Sequence, residues 1–171
     1  MDFNILQSFR NESSKFQEST EAQLPKLKVL NKFLEFIPGY IAGGCFKNIF
    51  FDEPIKDVDI FFKNTTDAEI ANSLCDTSPN YEELWQTSQT ITYKYKPSGD
   101  TVQLITSFFG NPDEVVSNFD FTITKAYYIY NSSSNTFQFF HHYRFFASIY
   151  QFHSQCIYPS IDVTKDFQQK C

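Results

Sequence analysis

The sequence predicts a single α/β or α+β domain in which a mixed sheet of about five strands is flanked by helices. Its 171 residues suit one domain of ordinary size. Along the chain, apolar positions switch between three- or four-residue spacing and two-residue alternation, the periods of helix and strand. Aromatic residues make up 19%, with 21 Phe and 10 Tyr, and these favour strands and fill core volume with few side chains. No fixed-period repeat or low-complexity linker divides the chain. The expected organisation is a polar leader over residues 1–20 and one domain over residues 21–171.

Leu24, Leu27, Leu30, Phe33, Leu34 and Ile37 form one apolar stripe, so a helix is expected to end before Pro38-Gly39. Tyr40-Ile41-Ala42 reads as a short strand, Gly43-Gly44 as a turn, and residues 45–51 as an amphipathic helix. Asp52-Glu53-Pro54 ends that helix, because the residue before a proline is pushed out of the α region. Residues 55–62 then form a strand with Val58, Ile60 and Phe62 on one face and Asp57, Asp59 and Phe61 on the other. Residues 67–75 read as a helix, 88–96 and 101–108 as an antiparallel hairpin around Pro97-Ser98-Gly99-Asp100, and 113–117 as a short helix. Residues 119–130 start helical and pass into a strand; 136–141 is another strand and 143–152 an aromatic helix.

Composition narrows the function. A formal net charge of −6 excludes a surface that binds polyanions nonspecifically, while leaving room for a local basic groove. No apolar run approaches the length of a membrane-spanning helix, and residues 1–16 lack the apolar core of a signal peptide, so a cytoplasmic protein with no membrane partner is expected. Cys45, Cys75, Cys156 and Cys171 share no metal-binding spacing and read as reduced thiols. His141, His142 and His153 lie in an aromatic region without partnered acids and read as packing or surface residues.

The chemistry concentrates in Gly43-Gly44-Cys45-Phe46-Lys47-Asn48 and, about a dozen residues later, Asp57-Val58-Asp59. Glycines at a strand-to-helix turn let backbone N–H groups approach a phosphate, which makes Gly43 and Gly44 candidate nucleotide-binding residues. Carboxylates at i and i+2 of a strand project side by side, within range of a hard divalent ion that prefers oxygen ligands and can bridge a triphosphate. Asp57 and Asp59 are therefore the candidate metal ligands, with Mg²⁺ or Mn²⁺ as cofactor. Set against this, an Asp-x-Asp pair can be a solvated strand face, Asp120 a helix cap, and Lys47 a surface charge.

These motifs, in this order, resemble the nucleotidyltransferase fold of the polymerase β superfamily, including the head domains of tRNA nucleotidyltransferases and bacterial poly(A) polymerases. Those proteins carry a Gly-Gly turn, a following helix that begins with a basic residue and an acid, and an Asp-x-Asp strand. Phe119-Asp120-Phe121-Thr122-Ile123 is similar to their Arg-Arg-Asp-Phe-Thr-Ile-Asn-Ala segment. The likeness extends over roughly residues 24–165 and is strongest to small stand-alone nucleotidyltransferase-like proteins of bacteriophages and bacteria, a phage protein then acting in the host cytoplasm. The resemblance implies transfer of a nucleoside monophosphate from a nucleoside triphosphate to a hydroxyl on an RNA end, small molecule or protein. It implies catalytic roles for Asp57, Asp59 and Asp120, and nucleotide contacts from Gly43, Gly44, Lys47 and Gln103. Gln103 stands where the tRNA enzymes have an acid, Lys47-Asn48 replaces an Arg-Asp pair, and Asn118-Phe119 replaces paired arginines. A nucleotidyltransferase-fold module that binds without transferring is the alternative these departures imply.

Overall fold

A computed structural model describes residues 15–157. The chain opens with β1 (Phe16–Glu18), α1 (Leu24–Leu27), a 3-10 turn (Lys28–Leu30) and α2 (Asn31–Leu34). β2 (Tyr40–Ala42), α3 (Cys45–Phe50), β3 (Asp57–Phe62) and α4 (Thr65–Thr77) follow. A meander of β4 (Tyr81–Gln86), β5 (Thr90–Tyr95) and β6 (Asp100–Phe109) leads to α5 (Pro112–Ser117). A second 3-10 turn (Thr122–Thr124), β7 (Ala126–Asn131), β8 (Thr136–His142) and α6 (Phe145–Ile157) complete it. Local signals set several of these bounds: the Asn64 side chain accepts a hydrogen bond from the Asp67 N–H at 2.9 Å and caps α4. Pro112 opens α5, where its missing N–H is harmless.

All eight strands form one sheet in the order β1-β8-β7-β2-β3-β6-β5-β4, with β3 and β6 its parallel pair. The expectation of about five strands is thus corrected to eight. The edge strands β1 and β4 escaped the sequence reading because they bury little: in β4 only Tyr81 is buried, and the register shifts between Glu83 and Trp85. Residues 16–18, placed in the leader by sequence, pair with β8 instead; residues 1–14 of that leader lie outside the described residues. Among the described residues no helix is long and apolar enough to cross a membrane.

Alternation along the strands puts different residues on the two faces. Ile41, Val58, Ile60, Phe62, Val102, Leu104 and Tyr128 face the main core, against Leu27, Leu30 and Phe33 near the N-terminus, Phe46 and Ile49 of α3, Ala71 of α4 and Phe145 of α6. Phe139 is fully buried there, with ring centroids 5.0 Å from Phe46 and 6.0 Å from Phe145; removing such a ring costs about 3–5 kcal/mol. Tyr40, Ala42, Phe61, Ile105 and Tyr127 form a smaller cluster on the opposite face with Val116 of α5. Asp57, Asp59 and Gln103 alternate onto this second face. Packing on the first face therefore fixes which way the carboxylates point.

Candidate functional site

β2 ends and β3 begins at the same end of the sheet, with Ala42 directly opposite Asp59. The chain leaves β2 through Gly43 at φ 101°, a left-handed conformation that side chains resist, and a Cβ there would sit 3.2 Å from Asp59 Oδ2. Glycine at 43 thus lets the turn close against the carboxylate. At Gly44, which caps α3, a Cβ would meet nothing within 4 Å. The backbone there is open for a ligand to approach.

Asp57 is exposed and Asp59 half-buried, on the same face. One oxygen of Asp59, Oδ1, is buried without a hydrogen-bond partner. An orphaned carboxylate oxygen is expensive to leave in a protein interior. Burial, and next the charge of Asp57, push the Asp59 pKa from 3.8 up to about 6. A divalent ion bound to the pair would relieve both effects, so the donor set fits a hard cation with oxygen ligands. Gln103 stands in register beside Asp59 on the parallel strand, and Thr101 beside Asp57. Among the described residues, no third Asp, Glu, His or Cys joins the two carboxylates.

A cleft of about 980 Å³ opens over these carboxylates, at the upper end of the range for small-molecule sites. Gly44, Cys45, Lys47, Lys56, Asp57 and Asp59 line one wall; Phe121, Thr122, Thr124, Ser148, Gln151 and Gln155 contribute to the other. Lys47 is held at 3.1 Å by Glu53, and its ammonium lies 5.3 Å from the Phe152 ring centroid. Glu53 is also 3.5 Å from His153 Nδ1, and the His153 ring stacks on Phe51 at 4.0 Å. Asn48 donates to the Pro54 carbonyl at 2.8 Å, which pins the loop that feeds β3.

Gly44, Lys47, Asp57 and Asp59 line the cleft; Gly43 and Gln103 do not, Gly43 lying next to Asp59 in the turn and Gln103 beside it in the sheet. Asp120 is exposed in the bend before the second 3-10 turn and does not line the cleft. That turn is entered from Phe121 without a side-chain cap, so Asp120 is no cap either. Burial, then the charge of Asp59, push the Cys45 thiol up, which keeps it protonated and unreactive. Cys45 and Cys75 are buried free thiols; Cys171 lies outside the described residues. His141 is buried with Nδ1 2.9 Å from the His142 carbonyl oxygen, a packing role. Sequence reasoning missed the polar stripe Ser148, Gln151 and Gln155. Its i, i+3, i+7 spacing on an otherwise aromatic helix was the available signal.

The sequence model of a family described as Gabija anti-defense 2 matches residues 7–152. The chain belongs to the Gabija anti-defense 2 family. No curated protein matches it. Solved structures similar to this Gabija anti-defense 2 chain are CCA-adding enzymes. An apo form shares 17% identity at a TM-score of 0.58 and is matched over 81% of this chain and 36% of its own. The Thermotoga maritima CCA-adding enzyme complexed with tRNA shares 16% at 0.56, over 79% of this chain and 34% of its own. A CCA-adding enzyme in complex with CTP shares 15% at 0.55, over 81% and 36%. The Gabija anti-defense 2 chain therefore has a nucleotidyltransferase-like fold, and it spans about a third of the length of the enzymes it matches.

Proposed function

We propose that this chain is a metal-dependent nucleotidyltransferase that moves a nucleoside monophosphate from a nucleoside triphosphate to a hydroxyl acceptor. The observation that carries this reading is the orphaned Asp59 oxygen beside Asp57 under an open cleft. Asp57 and Asp59 would hold Mg²⁺ or Mn²⁺, with the Gln103 carbonyl oxygen beside them. When bound, such an ion supplies positive charge to the phosphates and to the pyrophosphate that leaves. The open backbone at Gly44 and the ammonium groups of Lys47 and Lys56 receive the phosphate chain. The acceptor oxygen bonds to the α-phosphorus as the α–β P–O bond breaks, pyrophosphate departs, and the hydroxyl proton passes to solvent. CTP and tRNA in the similar CCA-adding structures support a triphosphate donor and leave an RNA end among the acceptors, beside a small molecule or a protein. The family's description supports a target within the Gabija defence.

A second reading is favoured by one feature: Gln103 brings no charge to the position beside Asp59. The protein would then hold a nucleotide without transferring it. A transfer assay with α-³²P-labelled nucleoside triphosphates, acceptor extracts and Mg²⁺ or Mn²⁺ separates the two. Label moved by the wild type and lost in Asp57→Asn/Asp59→Asn supports the enzyme. Metal-dependent binding without transfer supports the module, and binding unaffected by the double substitution refutes both.

A further inference from the structure

We infer that Thr92 on β5 is a positioning residue for the cation site: its hydroxyl takes the N–H of the Gln103 carboxamide, which turns the Gln103 carbonyl oxygen toward an ion held by Asp57 and Asp59. This rests on the metal reading of the carboxylate pair and gives a role to a residue that does not line the cleft.

The register of the sheet sets three side chains in one row. Asp59 of β3 stands beside Gln103 of β6, and Gln103 stands opposite Thr92 of β5. All three project to the second face, because their chain neighbours Val58, Ile60, Val102, Leu104, Ile91 and Tyr93 face the main core. Among the described residues, the buried side-chain polar atoms without a hydrogen-bond partner are Asp59 Oδ1, Thr92 Oγ1 and the Tyr81 hydroxyl oxygen. Tyr81 belongs to the main core. The other two flank Gln103, one on each side. Thr92 is fully buried, so its hydroxyl carries the desolvation penalty of an unmade hydrogen bond and solvent does not reach it.

A carboxamide has an acceptor at one end and donors at the other. Adjacent strands lie about 4.8 Å apart, so the half-buried Gln103 side chain, lying across the strands, points one end at β3 and the other at β5. Two senses are open to it. In one, the N–H meets Asp59 and the Thr92 hydroxyl donates to the carbonyl; in the other, the carbonyl faces Asp59 and the N–H meets Thr92. The structure adopts neither, since both flanking atoms are orphaned. A divalent ion at Asp59 attracts the carbonyl oxygen and repels the N–H end, which selects the second sense. The ion then meets Asp59 Oδ1 and the Gln103 donor meets Thr92 Oγ1, so one side-chain turn removes both penalties. The remaining donor in the row is the indole N–H of Trp85, opposite Thr92 on β4 and 53% exposed.

The test is calorimetric titration of the full chain with Mn²⁺ alone. Thr92→Val keeps the shape and removes the hydroxyl, and should weaken Mn²⁺ binding about two- to tenfold, the worth of one hydrogen bond. Thr92→Ser keeps the hydroxyl and should bind close to wild type. In a Gln103→Leu background, Thr92→Val should have no further effect, because its route to the ion has gone. Thermal unfolding in EDTA should find Thr92→Val no less stable than wild type, whereas a hydroxyl with a merely structural role would be missed there. One reading needs no Thr92 variant: the Gln103 carboxamide N–H signals in NMR, identified by their loss in Gln103→Leu, should shift and exchange more slowly with water when Mg²⁺ is added. Unchanged Mn²⁺ affinity in Thr92→Val, an equal loss with and without Gln103, a loss coupled to Trp85→Phe instead, or Gln103 signals indifferent to Mg²⁺ overturns the inference. If Asp57→Asn/Asp59→Asn abolishes Mn²⁺ binding while Thr92→Val leaves it unchanged, this inference falls and the metal reading stands. If the wild type binds no Mn²⁺, or the double Asn variant binds it equally well, both fall.

Discussion

Replacing Asp59 by Asn should stabilise the metal-free protein at neutral pH and make little difference at acid pH. Burial, and then the Asp57 charge, raise the Asp59 pKa from 3.8 to about 6. In the unfolded chain the group titrates near the lower value. Between the two values the native state therefore holds a proton that the unfolded state has released, and stability falls as pH rises through that window. Above about pH 6 the carboxylate is ionised in both states and the full penalty is present. At about 1.4 kcal/mol per pH unit, the gap amounts to about 3 kcal/mol. An Asn side chain has nearly the same shape and no charge, so the variant should escape that penalty at pH 8, raising Tm by about 6–12 °C in a chain of this size. The assay is thermal unfolding of both proteins from pH 4 to pH 8 in EDTA, repeated with Mg²⁺. In Mg²⁺ the wild type should recover the difference and the variant should not, because an ion that binds only the folded carboxylate pair stabilises by mass action. A wild type more stable than Asp59→Asn at pH 8 in EDTA, or a gap that does not change with pH, would refute the reasoning.

Gly43→Ala forces a side chain into φ 101° and brings its Cβ to 3.2 Å from Asp59 Oδ2, so urea unfolding should show a loss of about 1–3 kcal/mol. Gly44→Ala meets open space and should stay within about 0.5 kcal/mol of wild type, yet weaken tripolyphosphate binding by obstructing the backbone. Glu53→Gln frees Lys47 from its 3.1 Å partner and should raise tripolyphosphate affinity at low salt by up to about fivefold in calorimetry. Gln103→Glu places a third carboxylate in register with Asp59 and should tighten Mg²⁺ binding by calorimetry, while lowering stability above pH 6 in EDTA.

The carboxylate strand was legible because its two faces obey opposite demands: Val58 and Ile60 must be buried, which leaves Asp57 and Asp59 together on the other side. The glycine turn, the short helix after it and the hairpin around Gly99 were legible for similar local reasons. The stripe from Leu24 to Ile37 was read as one helix, and it is two short α segments joined by a 3-10 turn. All its apolar residues still reach the core, so the period alone could not reveal the break. Strand β4 was invisible because Glu82, Glu83, Leu84 and Trp85 are exposed on an edge, where pairing needs no alternation. The second wall of the cleft was illegible for a different reason. Ser148, Gln151 and Gln155 meet Asp57 only through tertiary packing across about ninety residues of chain, and nothing local to α6 announces that neighbour. Lys47 was read as either a surface charge or a nucleotide contact; it lines the cleft, and its engagement with Glu53 was not readable.

Strand β2 pairs with β7 on one side and β3 on the other through only three residues, Tyr40, Ile41 and Ala42. The eight strands are thus two panels, β1-β8-β7 and β3-β6-β5-β4, sewn together by a single short seam. Each panel is built largely from hairpins that can zip locally, whereas the seam requires partners far apart in the chain to arrive at once. Asp59 lies on one edge of that seam, opposite Ala42. Asp57, Asp59 and Gln103 all belong to the β3-β6-β5-β4 panel, so the carboxylates assemble with that panel, and what the seam adds is the Gly43-Gly44 turn that closes over Asp59.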